Sequence, residues 1–191
     1  MKIAITGGIG SGKSFVCRCL ETRGINVYDC DAAAKHLMRT SRELQHQLNA
    51  LLGKNIFFGG ELSKAELAKF ILSSPINARA VDDIVHPAVA LDFENSGNDW
   101  LESAILFESE FINRVSIDKI VCVAAPKELR LSRIMWRDGI DREKAQAWIN
   151  RQMPQSEVMK RSDYTIFNDG EHDVEAQVEQ LLEKLKTDYT K

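Results

Sequence analysis

One stretch constrains this chain more than any other. Gly7-Gly-Ile-Gly-Ser-Gly12-Lys13-Ser14 lies between a short β-branched run, Lys2-Ile-Ala-Ile-Thr6, and a helical stretch, Lys13 to Arg23, closed by Gly24. An apolar run that ends in glycines is the signature of a buried strand, and a glycine after the last helical residue is a stop signal. The glycines at 7, 8, 10 and 12 let the backbone wrap closely, so that successive N–H groups point inward. The helix that follows adds the positive end of its dipole. The spacing G-x-x-x-x-G-K-[ST] is met without a mismatch, in the strand–turn–helix setting that phosphate binding requires. Gly8, Ile9, Gly10, Ser11, Gly12, Lys13, Ser14 and Phe15 are therefore the candidate nucleotide-binding stretch. Lys13 would reach the β- and γ-phosphates of a nucleoside triphosphate, and the Ser14 hydroxyl would ligate Mg²⁺. The bland alternative is a glycine-rich turn that binds nothing.

The rest of the chain reads as α/β. Asn26-Val-Tyr-Asp29 is a second short strand, and Ala104-Ile-Leu-Phe107, Lys119 to Ala124 and Tyr164-Thr-Ile-Phe167 are three more, separated by helical stretches. Val174, Val178, Leu181, Leu182 and Leu185 recur at helical spacing, so an amphipathic helix ends the chain. Near-continuous apolar strands alternating with helices predict a parallel sheet covered on both faces. Between Ala32 and Asn95 the rhythm changes to helices, one of them opening on Ser63-Lys-Ala-Glu66, with only Asn55 to Phe58 as a strand candidate. That length exceeds a single crossover and predicts a helical insertion. The expected division is a nucleotide-binding core at 1–31 and 96–191, with a lid at about 130–155, and a helical substrate-binding insertion at 32–95.

Composition excludes several classes. Basic and acidic side chains number 25 and 28, a net charge of −3, without the basic excess of a general nucleic-acid binder. The longest apolar run, Ile120 to Ala125, is six residues, far below the roughly 20 that a membrane-spanning helix needs. With no leader pattern after Met1-Lys2, a cytoplasmic protein is expected, and a monomer is favoured over an oligomer. Cys17, Cys19, Cys30 and Cys122 read as reduced, apolar-like thiols. The histidines at 36, 46, 86 and 172 have no paired metal-site spacing. His86 precedes Pro87, where a helix break is expected.

Three groups of polar residues are candidates for chemistry. Asp29-Cys-Asp31 falls at the end of the second strand. Either Asp31 caps a helix starting at Ala32, or it orients an acceptor hydroxyl and takes its proton. Glu108, read as the end of the third strand, either starts a helix or serves Mg²⁺ or the acceptor. Arg130, Arg133 and Arg137 share a helical face, which is either solvated or a lid that stabilises a transferring phosphoryl group. A GTPase switch is excluded, since neither Asp-x-x-Gly nor Asn-Lys-x-Asp occurs. A motor or AAA-type ATPase needs a longer chain, whereas a small-molecule kinase fits.

Taken in order, Thr6 to Ser14, Asp29-x-Asp31, Val85-His-Pro87, Ile105-Leu-Phe-Glu108, Arg133-x-x-x-Arg137-Asp138 and Asn168-Asp-Gly170 resemble the dephospho-coenzyme A kinase family over nearly the whole chain. The resemblance implies ATP-dependent, Mg²⁺-assisted phosphorylation of the ribose 3′-hydroxyl of dephospho-coenzyme A. It further implies Asp31 as general base, Lys13 and Arg137 as catalytic partners, Asn168 at the ATP site, and Asp31, His86 and Glu108 at the acceptor. Two positions depart from the family pattern: Phe15, where Thr is frequent, and the segment Glu102-Ser-Ala-Ile, where many members carry proline. A nucleoside or nucleoside-monophosphate kinase is the runner-up, but arginines that would clamp a monophosphate are few in the insertion (Arg39, Arg42, Arg79). A regulatory protein that binds ATP without turnover is the third reading.

Overall fold

The computed structural model describes residues 1–189. The first elements in chain order are β1 (Ile3–Thr6), α1 (Lys13–Glu21) and β2 (Val27–Asp29). Next come α2 (Cys30–Thr40), α3 (Arg42–Leu52), the hairpin strands β3 (Phe57–Phe58) and β4 (Glu61–Leu62), α4 (Lys64–Ser73) and α5 (Pro75–Ser96). The chain continues through β5 (Trp100–Glu102), β6 (Lys119–Ala124), α6 (Lys127–Asp138), α7 (Arg142–Asn150), α8 (Gln155–Lys160), β7 (Tyr164–Phe167) and α9 (Val174–Tyr189). It divides into two compact units. One comprises Met1–Tyr28, Asn98–Ile112 and everything from Ser116 onward; the other is Asp29–Gly97 with Asn113–Val115.

The first unit is built on a five-stranded sheet in the order β2-β5-β1-β6-β7. The pairs β1/β5, β1/β6 and β6/β7 are parallel, with Ile3 opposite both Trp100 and Lys119. All four residues of β1 are buried, as expected of a central parallel strand that sees no water on either face. Alternation sends Ile3, Ile5, Val121 and Val123 to one face, where they meet Val16, Cys17, Cys19 and Leu20 of α1 and Val178, Leu181 and Leu185 of α9. Each large apolar side chain so buried stabilises the fold by about 1.5–3 kcal/mol. A second cluster, Leu131, Ile134 and Ala145, joins α6 to α7. All four cysteines are buried free thiols, and burial pushes the Cys122 thiol up to about 11.

The second unit is organised around α5, which contacts α2, α3 and α4. Its stripe Val81, Val85, Val89, Ala90 and Phe93 is buried. That packing carries the helix straight through Pro87, so the break expected at His86-Pro87 does not occur. The proline forgoes one intrahelical hydrogen bond, and the apolar stripe outweighs the loss.

Two other expectations are corrected. The third strand is Trp100–Glu102, not Ala104-Ile-Leu-Phe107, which forms turns; Glu108 therefore lies beyond the strand end and Glu102 occupies it. The capping box expected at Ser63-Lys-Ala-Glu66 is not formed: Ser63 precedes α4 without a side-chain cap, its amide donates to the Ile56 carbonyl at 2.8 Å, and Glu66 pairs with Lys54.

Candidate active site

The glycine-rich loop joins β1 to α1, and its geometry is set by side chains that reach its carbonyls. Lys13 Nζ donates to the Gly7 carbonyl at 2.9 Å. Arg130 Nε donates to the Ile9 carbonyl at 2.9 Å. Arg133 Nη1 lies 3.2 Å from the Gly10 carbonyl and 3.3 Å from that of Ser11, which also accepts from Asn168 Nδ2 at 3.0 Å. In a trans peptide the N–H points opposite to the C=O. Tying the carbonyls of Gly7, Ile9 and Ser11 to these donors therefore turns the N–H groups of Gly8, Gly10 and Gly12 the other way, as an anion cradle requires.

Glycine is demanded here by the donors themselves. A Cβ on Gly8 would sit 2.2 Å from Arg130 Nη2, and one on Gly12, at φ 96°, would sit 1.9 Å from Asn168 Nδ2. Gly12 is also the residue before α1, and no side chain caps that helix start. The Ser11 hydroxyl oxygen is buried without a hydrogen-bond partner among the described residues. The Phe15 amide donates to the Gly12 carbonyl at 2.9 Å, and its half-exposed ring carries the Arg18 guanidinium at 5.8 Å.

The local field is positive. Lys13 meets one carboxylate, Glu102 at the end of β5, 3.5 Å away. Arg130 is only 5% exposed, and its bonds go to neutral oxygens, the Ile9 carbonyl and Gln152 Oε1. Arg133 Nη2 reaches both oxygens of Asn168, at 3.1 and 3.2 Å. Burial pulls both guanidinium groups below the ordinary arginine value. A buried and a half-buried cation facing dipoles rather than carboxylates keep their attraction for an anion.

The sequence-derived candidates separate accordingly. Lys13, Ser14, Asn168 and the glycine loop belong to this one arrangement. Arg137 does not touch the loop; it is exposed and grips Asp138, with Nη2 2.7 Å from Oδ2. Glu108 accepts the Met153 amide at 2.9 Å. Asp31 and His86 lie in the second unit, where Asp31 pairs with Lys35 and His86 Nε2 is 3.6 Å from Asp82 Oδ1. Asp31 is not the helix cap: α2 starts at Cys30, and the Asp29 carboxylate accepts the Ala32 amide at 2.9 Å. Arg130 is likewise no bystander on a solvated face. Sequence reasoning passed over Glu102 and Gln152 because neither sits in a motif; only the correct strand end would have pointed to Glu102.

The dephospho-CoA kinase family model matches residues 1–173. This chain belongs to that family. A dephospho-CoA kinase of Bacteroides fragilis is 41% identical over 189 residues, covering 95% of this chain and 91% of the relative. A crystal structure of a Thermus thermophilus protein superposes with a TM-score of 0.79 at 34% identity, covering 98% of this chain and 97% of the other. The dephospho-CoA kinase of Campylobacter jejuni, at 21% identity, shares the fold with a TM-score of 0.66, covering 99% of this chain and all of the other. Family membership makes this chain a kinase whose reaction is ATP-dependent phosphorylation of dephospho-CoA. The nucleoside-kinase alternative is not favoured.

Proposed function

We propose that this chain transfers the γ-phosphoryl group of ATP to the ribose 3′-hydroxyl of dephospho-CoA, giving CoA and ADP, with the phosphates held on the Gly7–Ser14 loop. The observation that carries the reading is the set of loop carbonyls fastened by Lys13, Arg130, Arg133 and Asn168, which leaves the Gly8, Gly10 and Gly12 amides and three cationic side chains to meet phosphate. A preorganised cradle of this kind lowers the barrier because the donors need not reorient as charge develops.

Lys13 Nζ, now resting on the Gly7 carbonyl, follows the β- and γ-oxygens in this mechanism. The Ser14 hydroxyl, in the first turn of α1, and the Glu102 carboxylate beside Lys13 would hold Mg²⁺, for which such hard oxygen donors are suited. When bound, that ion would supply positive charge to offset that of the triphosphate. Asp31 takes the proton of the 3′-hydroxyl; its carboxylate is exposed and released from capping by Asp29, which supports the role. Arg137 completes the charge stabilisation by exchanging Asp138 for the transferring group. His86 in the helical unit around α5, and Glu108 in the first unit, are acceptor contacts in this reading. The four buried free thiols fit an enzyme working in a reducing cytoplasm.

Phosphorus NMR of the product tests the regiochemistry. A new monoester resonance that couples to the ribose H3′ is expected, and coupling to H2′ would overturn the assignment.

A further inference from the structure

Ile9 is held from outside the loop at both of its main-chain groups. Its N–H donates to Gln152 Oε1 at 2.7 Å, and its carbonyl accepts from Arg130 Nε at 2.9 Å. Its side chain packs on the Leu131–Ile134–Ala145 cluster of α6 and α7. The same Gln152 oxygen lies 3.4 Å from Arg130 Nη2, so one amide oxygen bridges the loop and the guanidinium that grips it.

The consequence follows from peptide planarity. The Ile9 N–H and the Gly8 carbonyl belong to one peptide unit, and that carbonyl accepts the Ser11 amide at 3.1 Å. Gln152 thus sets the Gly8–Ile9 plane, and through it the turn that places Ser11. Arg130 sets the next plane, Ile9–Gly10, which directs the Gly10 amide. The Ile9 amide itself is taken by Gln152 rather than offered to phosphate.

Gln152 is also firmly placed. The neighbouring Met153 amide donates to Glu108 Oε1 at 2.9 Å, and Gln155 Oε1 accepts the Ala125 amide just past β6 at 3.1 Å. The turn between α7 and α8 is therefore fastened to the sheet side of the unit, and Gln152 reaches the loop from a fixed base.

We propose that Gln152 is a positioning residue for the ATP phosphates, orienting the glycine loop through the Ile9 amide. This rests on the reading that the loop is the triphosphate site. Gln152→Leu removes the acceptor at nearly constant volume, and Gln152→Asn keeps an amide that falls one methylene short. Both should raise KM for ATP by at least about ten-fold while KM for dephospho-CoA stays within about two-fold. Gln152→Glu retains an acceptor at full reach and should hold KM for ATP within about three-fold of wild type.

A wild-type KM for ATP in Gln152→Leu and Gln152→Asn, even with a lowered melting temperature, would overturn the proposal. So would a loss in Gln152→Glu equal to theirs. If Gln152→Leu does not fold, the Asn and Glu pair gives the same contrast. Lys13→Ala, measured alongside, separates the two ideas. Lost turnover there with an unaffected Gln152 series sinks the positioning role alone, whereas wild-type turnover in Lys13→Ala sinks the triphosphate reading beneath it.

Discussion

At the scale of single residues, the loop shows how backbone becomes an anion site: the carbonyls of Gly7, Ile9 and Ser11 are occupied, so the amides of Gly8, Gly10 and Gly12 are presented. Lys13→Ala removes both the Gly7 tether and the ammonium proposed to follow the β- and γ-oxygens. Turnover should fall by at least about 10²-fold, the order seen when a transition-state donor is lost. Circular dichroism should show an intact fold, and wild-type turnover would contradict the assignment. Asp31 and Asp29 can now be told apart. Asp31→Asn breaks only an exposed i,i+4 pair with Lys35, worth about 0.5 kcal/mol or less, so the melting temperature should hold. Loss of a general base should lower kcat by about 10²–10⁴-fold. Asp29→Ala removes the α2 cap and should cost about 1 kcal/mol in denaturant unfolding. A stability loss in Asp31→Asn larger than in Asp29→Ala would reverse the two roles.

At the scale of elements, α6 carries two kinds of arginine on one face. Arg133 spans the Gly10, Ser11 and Asn168 oxygens, and its replacement by Ala takes a donor from the half-buried Gly10 and Asn168 carbonyls, while that of Ser11 keeps Asn168 Nδ2, at a cost of about 1–3 kcal/mol. Arg137, exposed and tied only to its neighbour, should leave the melting temperature unchanged when replaced by Ala yet lower kcat by at least about 10²-fold. Equal effects on stability from the two variants would refute the division.

The connection from β7 to α9 gives a pH test. Asp169 accepts the amides of His172 and Glu171, both at 3.0 Å, which hold its carboxyl down at about 2. An unfolded aspartate titrates near 3.9, so the folded state binds its proton less readily. The carboxylate's stabilisation is therefore full above about pH 5 and fades as pH falls toward 2. The melting-temperature gap between wild type and Asp169→Ala should be constant above about pH 5 and close below it; a gap that widens in acid would contradict the sign.

Legibility in the sequence also varied by element. β6 and β7 stand out as near-continuous apolar runs, broken only by Lys119 at the start of β6 and Thr165 within β7, and α9 as a clean helical stripe. β5 did not stand out. Trp100-Leu101 offers only two apolar residues, whereas Ala104 to Phe107 offers four, and only the parallel register of Ile3 with Trp100 chooses between them. Pro87 misled for a related reason: a local rule against helix continuation yields to a buried stripe on either side of it. In the site, the loop residues were readable because their chemistry follows the chain. Arg130, Glu102 and Gln152 act across 121, 89 and 143 positions, and no local pattern reports such distances.

At the scale of the whole molecule, one unit carries the five-stranded sheet with the nucleotide loop, and the other is the helical unit around α5. The central claim is that dephospho-CoA is the acceptor for phosphate taken from ATP on this loop. ADP formation with purified protein, measured side by side with dephospho-CoA, adenosine, AMP and no acceptor, tests it most directly. The expected result is ADP in equimolar yield with CoA in the first reaction and only background in the other three. Turnover with adenosine or AMP but not with dephospho-CoA, or ADP formation that is indifferent to the acceptor, would contradict it.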